Sequence, residues 1–370
     1  MRGNIAIDAQ MYPHLIDTIF GHADARALLY LRTASRAWRT RANAALTVHL
    51  TIRDDKVYAV GPQGDVVPHP AFELSLRAKL KVKPRKYRLG TPRDWTKAMV
   101  NLHTVDLMDE SDSFFTPSSF LKEPIPIFRI WETQAEHPDY DVIAPAAHTV
   151  VVFPPQSAPS TDMAVTPNLY TPFYEVDSDT SKVVLNVSPA SSKHGWCCSP
   201  VFSGIYWDGA EKSGVLQEIV INLTVPSSSA VGSSSSDLFH QSTLGDLLFD
   251  SIMAARRGSL KYTLVNSDAL PVRLLRAVDV DWCEDDHPQT YAAFKTAASF
   301  QECAETYLQE AFERESDRYS EDASDAEGDS DFGDEWNKDG RIQFLTSAEY
   351  EAKVGTATYR LETLERPWEL

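Results

Sequence analysis

Seven short apolar runs limit what most of this chain can fold into. They are Thr104–Leu107, Ile127–Trp131, Thr149–Phe153, Lys182–Val187, Glu218–Leu223, Leu260–Val265 and Val278–Trp282. Each is rich in β-branched residues and apolar with few breaks. A strand with one wet face alternates apolar and polar side chains. A strand buried on both faces does not, and such strands are common in parallel sheets. The runs recur roughly every twenty to twenty-five residues at first, later every thirty to forty, which suggests stacked units of one strand and one connection. The expected fold class is therefore α/β with mostly parallel strands. The spacing is irregular and the leucine-asparagine signature of leucine-rich repeats is missing. The body is thus expected to be irregularly leucine-rich-repeat-like, with a doubly wound sheet as the alternative.

Ahead of these runs, residues 12–45 carry a helical pattern. Pro13 suits the first turn of a helix, where its missing N–H costs little. Leu15, Ile16, Ile19 and Phe20 fall on one face at helical spacing. Gly21 reads as a stop, and Asp24 as the cap of a second helix with Ala27, Leu28 and Leu31. Thr33 or Ser35 caps a third, running through Trp38 to about Ala45. Three short helices hold more apolar side chains than their own core needs, and the surplus points to a docking face.

The residues Ile19-Phe20, Leu28-Leu29, Leu31-Arg32, Ser35-Arg36 and Trp38-Arg39 resemble the F-box family. Its pattern runs roughly Leu-Pro, Ile-Phe, then Leu-Leu-x-Leu-Arg-x-Val-Ser-x-x-Trp-Arg. The segment LRTASRAWR is the most specific part of the likeness, which covers about a tenth of the chain. Tyr12 stands where Leu is usual, Pro13 lies one residue closer to Ile-Phe, and Ala23, Ala27 and Ala34 replace Leu, Asp and Val. The resemblance implies a module that docks on the Skp-type adaptor of a cullin (SCF) ubiquitin ligase complex, while the remaining chain holds a protein target. On this reading Tyr12, Pro13, Leu15, Ile16, Ile19, Phe20, Leu28, Leu29, Leu31, Ser35 and Trp38 are the adaptor-binding set.

The organisation that follows has five parts. Residues 1–50 are the F-box-like module. Residues 51–93 hold strands, tight turns and a basic stretch from Arg77 to Arg93 that reads as a solvated face. Residues 94–312 are the α/β target-binding body, with a helix at 237–257 and a second from about 289 to 314. Residues 313–340 are an acidic low-complexity segment without the apolar side chains of a core, in which Ser324 suits an acidic-directed kinase. Residues 341–370 are a tail whose strand-like Ile342–Leu345 and Ser347-capped helix pack back on the body. Trp131, Trp207 and Trp282, near strand ends or connections, are candidate target-binding anchors.

A formal charge of -18 and a sequence pI near 4.9 argue against general nucleic-acid affinity. No run is long enough to span a membrane, and the N-terminus is no signal peptide. Cys197, Cys198, Cys283 and Cys303 form no disulfide framework, so the chain reads as intracellular, cytoplasmic or nuclear. His194 with Cys197 suggests a thiol nucleophile, and Asp281 to His287 a cation site, but both have ordinary structural explanations. No phosphate-cradling glycine loop or nucleophile elbow occurs. The chain is read as a non-enzyme with no metal and no cofactor. The alternatives are an α/β enzyme with a helical cap, or a scaffold uncoupled from the ligase.

Overall fold

The computed structural model describes residues 12–53, 56–70, 99–108, 124–131, 141–143, 146–153, 173–175, 179–187, 205–206, 214–223, 260–269, 296–299, 301–302, 305–306, 309 and 340–363. The chain divides into two compact units, with the break after Trp131. The strand block that begins near residue 94 is thus shared between them.

The first unit opens with helices α1 (Pro13–His22), α2 (Ala25–Leu31) and α3 (Arg36–Leu46). Gly21 stays helical, and α1 ends one residue later than its glycine suggests, when Ala23 turns extended. The strands β1 (His49–Arg53), β2 (Lys56–Val60) and β3 (Val66–Pro68) follow as an antiparallel meander. β4 (Thr104–Leu107) then pairs in parallel with β1, and β5 (Ile125–Trp131) in parallel with β4. Leu50, Ile52, Val105, Phe128 and Ile130 form an apolar face. The opposite face carries Thr51, Asp106 and Arg129, which the register places side by side.

The second unit contains two sheets. β6 (Asp141–Ile143), β8 (Phe173–Glu175) and β10 (Ile205–Tyr206) make a small parallel one. The larger is built from β7 (Ala147–Phe153), β9 (Lys182–Val187), β11 (Glu218–Leu223), β12 (Lys261–Val265) and β13 (Ile342–Leu345). These five are parallel, and their order in space is their order in the chain. The runs of β7, β9, β11 and β12 are mostly buried, as near-continuous apolar sequence requires, while the edge strand β13 is largely half-buried; Val151, Val184 and Val220 are inaccessible. The class is α/β with mostly parallel strands.

One face of this sheet carries Val183, Leu185, Ile219, Ile221, Tyr262 and Leu264 and is largely apolar. The other is mixed and meets two closing helices, α4 (Ser347–Val354) and α5 (Thr356–Thr363). Thr346, not Ser347, caps α4, in a reciprocal box with Glu349, and Ser347 is the first helical residue. Lys182 Nζ lies 2.6 Å from Glu362 Oε1, Tyr350 Oη donates to Glu362 Oε2 at 2.6 Å, and Lys353 Nζ lies 2.7 Å from Glu218 Oε1. The tail is thereby docked on the strands of its own unit.

Candidate docking surface

Every helix start in the N-terminal module has a side-chain cause. Pro13 opens α1 without needing an N–H partner. Asp24 Oδ1 accepts from Ala27 N at 2.6 Å and starts α2. Ser35 Oγ accepts from Trp38 N at 3.2 Å and starts α3, so Ser35, not Thr33, is the cap. Arg32 Nε donates to Asn43 Oδ1 at 2.7 Å, tying α2 to α3 inside the module. Phe20 meets Trp38 edge to face, with ring centroids 5.5 Å apart, and this contact joins α1 to α3.

The module does not close its core alone. Ile16, Phe20, Ala25, Leu28, Ala42 and Leu46 cluster with Ala59 of β2 and Val67 of β3. Ala25 N donates to both carboxylate oxygens of Asp65, at 2.9 and 2.7 Å, on the turn between these strands. Gly61 makes the approach possible, since a Cβ there would stand 2.6 Å from Ala25 N. His69, just past β3, is fully buried. Burial first, and the nearby Arg32 charge second, push its pKa down to about 3, so the ring is neutral at neutral pH.

The adaptor-binding set separates by depth. Ile16, Phe20 and Leu28 belong to the core, and Leu29, Leu31 and Trp38 are half-buried against it. A partner does not reach the first three, because the module's own packing uses them. Ser35 is exposed but acts as a cap. Tyr12, Pro13, Leu15 and Ile19 face solvent, and Tyr12, Leu15 and Ile19 are 48%, 48% and 41% exposed. Their i, i+3, i+7 spacing puts these three in one stripe beside the buried face of α1. Tyr30 on α2 is more exposed still, at 78%. The stripe is what the surplus of apolar residues becomes.

Sequence spacing missed a charged cluster in the same unit. Arg129 Nε stands 3.2 Å from Asp106 Oδ1, and His49 Nε2 lies 3.1 Å from Asp106 Oδ2. Both side chains of the Arg129–Asp106 pair are almost wholly buried. Burial lowers the Arg129 pKa, and the Asp106 charge opposes that fall. The Arg129 guanidinium sits 5.0 Å from the centre of the Trp131 ring. Trp131 is buried at 4% exposure, so it is a core side chain and not the target anchor its strand-end position suggested. Each partner comes from a different strand, and only the register of β1, β4 and β5 unites them.

A second polar system runs through the larger sheet. Asn186 Nδ2 donates to the Val152 carbonyl at 3.2 Å and to the Glu362 carbonyl at 2.8 Å. Asn222 Nδ2 donates to Asn186 Oδ1 at 2.7 Å, Asn266 Nδ2 donates to Asn222 Oδ1 at 3.3 Å, and Ser347 Oγ donates to Asn266 Oδ1. Asn266 holds a positive φ of 66°, a conformation Asn tolerates better than most residues. The row ends on the tail at both sides.

Trp207, Trp282, His194, Cys197, Cys198, Cys283, Asp281 and His287 lie outside the described residues, as do Cys303, the basic stretch 77–93, the helix at 237–257, and Ser324 within the acidic segment. Among the described residues no group of three or more His, Cys, Asp or Glu is arranged to hold a metal, and no helix is long and apolar enough to cross a membrane. Comparison with protein-family models, curated proteins and solved structures gave no match to this chain.

Proposed function

We propose that the chain is a substrate receptor of an SCF-type ubiquitin ligase, non-catalytic itself, that binds a Skp-type adaptor through α1–α3 and a protein target through its α/β body. One observation carries the reading. The candidate adaptor-binding residues divide into a core that builds the module and a stripe, Tyr12, Leu15 and Ile19, that leaves apolar surface outside it. A helical cap with no partner would have no use for that stripe.

We infer further that the body is of the stacked-repeat kind. In a doubly wound sheet the strand order reverses at a switch point, where ligands bind. The five strands of the larger sheet step in one direction only. The row Asn186, Asn222, Asn266 repeats one polar device on β9, on β11 and just past the end of β12, which supports a repeating unit.

The alternative of an α/β enzyme has one observation in its favour, the His49–Asp106 pair. The carboxylate, however, is buried against Arg129 and is used structurally. Co-expression of the full chain with a Skp-type adaptor, followed by affinity capture, tests the proposal. A stoichiometric complex is expected. A folded chain that emerges alone would leave the scaffold or enzyme reading.

A further inference from the structure

Helix α5 docks without an apolar stripe. A helix on the surface of a protein body normally buries such a stripe. The buried residues of α5 are Glu362 and Thr363, both polar. Glu362 is only 1% exposed. Lys182 Nζ meets its Oε1 at 2.6 Å, Tyr350 Oη donates to its Oε2 at 2.6 Å, and Asn186 Nδ2 donates to its carbonyl at 2.8 Å. Burial, with the Glu362 charge next, pushes the Tyr350 pKa up, so that hydroxyl remains a donor. Lys182 and Asn186 lie on one face of β9, so a single strand presents an ammonium and an amide to one acidic residue.

A latch of this kind is exchangeable. A buried ion pair adds little net stability, because desolvation offsets the attraction, and its best-attested use is to select one arrangement over another. The other end of α5 has the form of a hinge. Gly355, between α4 and α5, holds φ 85° and ψ 148°, a region that only glycine enters freely, and open space surrounds the position of a Cβ there.

We propose that α5 is a strap, hinged at Gly355 and latched at Glu362, that closes a carboxylate-binding site on β9. A segment of the protein target displaces it by placing its own carboxylate on Lys182 and a backbone carbonyl on Asn186. Displacement by a target rests on the proposed reading of the body; the strap itself does not. The occupant is a short segment with one buried carboxylate and no net charge, as α5 sets Arg360 against Glu362. A strongly acidic segment would be repelled by a chain of net charge -18. An apolar segment would leave the Lys182 ammonium covered and without an anion.

Hydrogen exchange of the full chain tests the strap. Amides of α5 are expected to exchange at least about tenfold faster than those of Val184 and Val220, through local opening. A further increase of about tenfold is expected in Glu362→Gln and in Gly355→Ala. Gly355→Ala touches no packed atom, so it answers if Glu362→Gln does not fold. A synthetic peptide of residues 355–363 probes the site. It is expected to bind the Gly355→Ala chain and to speed α5 exchange in the parent, while its own Glu362→Gln version loses at least about tenfold in affinity. Acetate at the same concentration is expected to do neither. Exchange of α5 in step with the strands, in the parent and the folded variants alike, would make it ordinary core and overturn the strap. An open strap with no peptide binding, equal binding of both peptides, or acetate acting as well as the peptide would overturn the segment-binding site. No adaptor is used, so the inference can fail while adaptor capture succeeds, and the strap can stand where capture fails.

Discussion

Gly61 and Asp65 show how single residues fasten the helices to the strands. The Asp65 carboxylate accepts the Ala25 N–H at the start of α2, and only a residue without Cβ lets the turn come so near. Gly61→Ala is expected to destabilise by about 1–3 kcal/mol, because the added Cβ would meet the Asp65 carboxylate that holds α2 and the Ala25 backbone N, which cannot swing away; chemical denaturation measures it. His69 makes a second residue-scale prediction. Its folded pKa, about 3, lies below the ordinary value of 6.5, so between these limits the unfolded chain binds the extra proton. Its contribution to stability is complete above about pH 6.5 and is lost as pH falls toward 3. His69→Gln is expected to flatten the decline of melting temperature between about pH 6.5 and 4 relative to the parent. An identical slope in both proteins would mean that His69 is not buried neutral. None of these three roles was legible in the sequence, since each depends on a neighbour that only folding brings near.

Elements were more legible than residues, for a physical reason. The runs at β7, β9, β11 and β12 are continuous and β-branched, a pattern that few structures other than a doubly covered strand can satisfy. Caps such as Asp24 and Ser35 act within three residues and so could be read locally. The division of α1 into a core face and an outward stripe could not, because Leu15, Ile16, Ile19 and Phe20 share one broad face until packing decides between them. The asparagine row was equally hidden. Asn186 and Asn222 each occur in a glycosylation-like triplet, and their tie to one another exists only through the parallel register of β9 and β11. Asn222→Ala would strip Asn186 Oδ1 and Asn266 Nδ2 of the bonds they share with it. A loss of about 1–3 kcal/mol is expected, the cost of buried polar groups left unsatisfied. A change below about 0.5 kcal/mol in urea denaturation would show that the row is dispensable.

At the scale of the whole molecule, the class α/β was legible and the division into two units was not. The runs in β4 and β5 look no different from those in β7 to β12, although the break falls between them. On the proposed function the first unit's helices dock an adaptor and the strand-built body holds a target. The stripe on α1 is then surface made for a partner, not excess core. The most direct measurement is calorimetric titration of the full chain with a Skp-type adaptor, beside the Leu15→Asp/Ile19→Asp double variant, with the melting temperature of both. The stripe is exposed, so the substitutions are expected to alter folding stability by no more than about 1 kcal/mol while weakening binding at least about a hundredfold, since each would carry a charge into an apolar contact. Equal affinity for parent and variant, both folded, would contradict the claim.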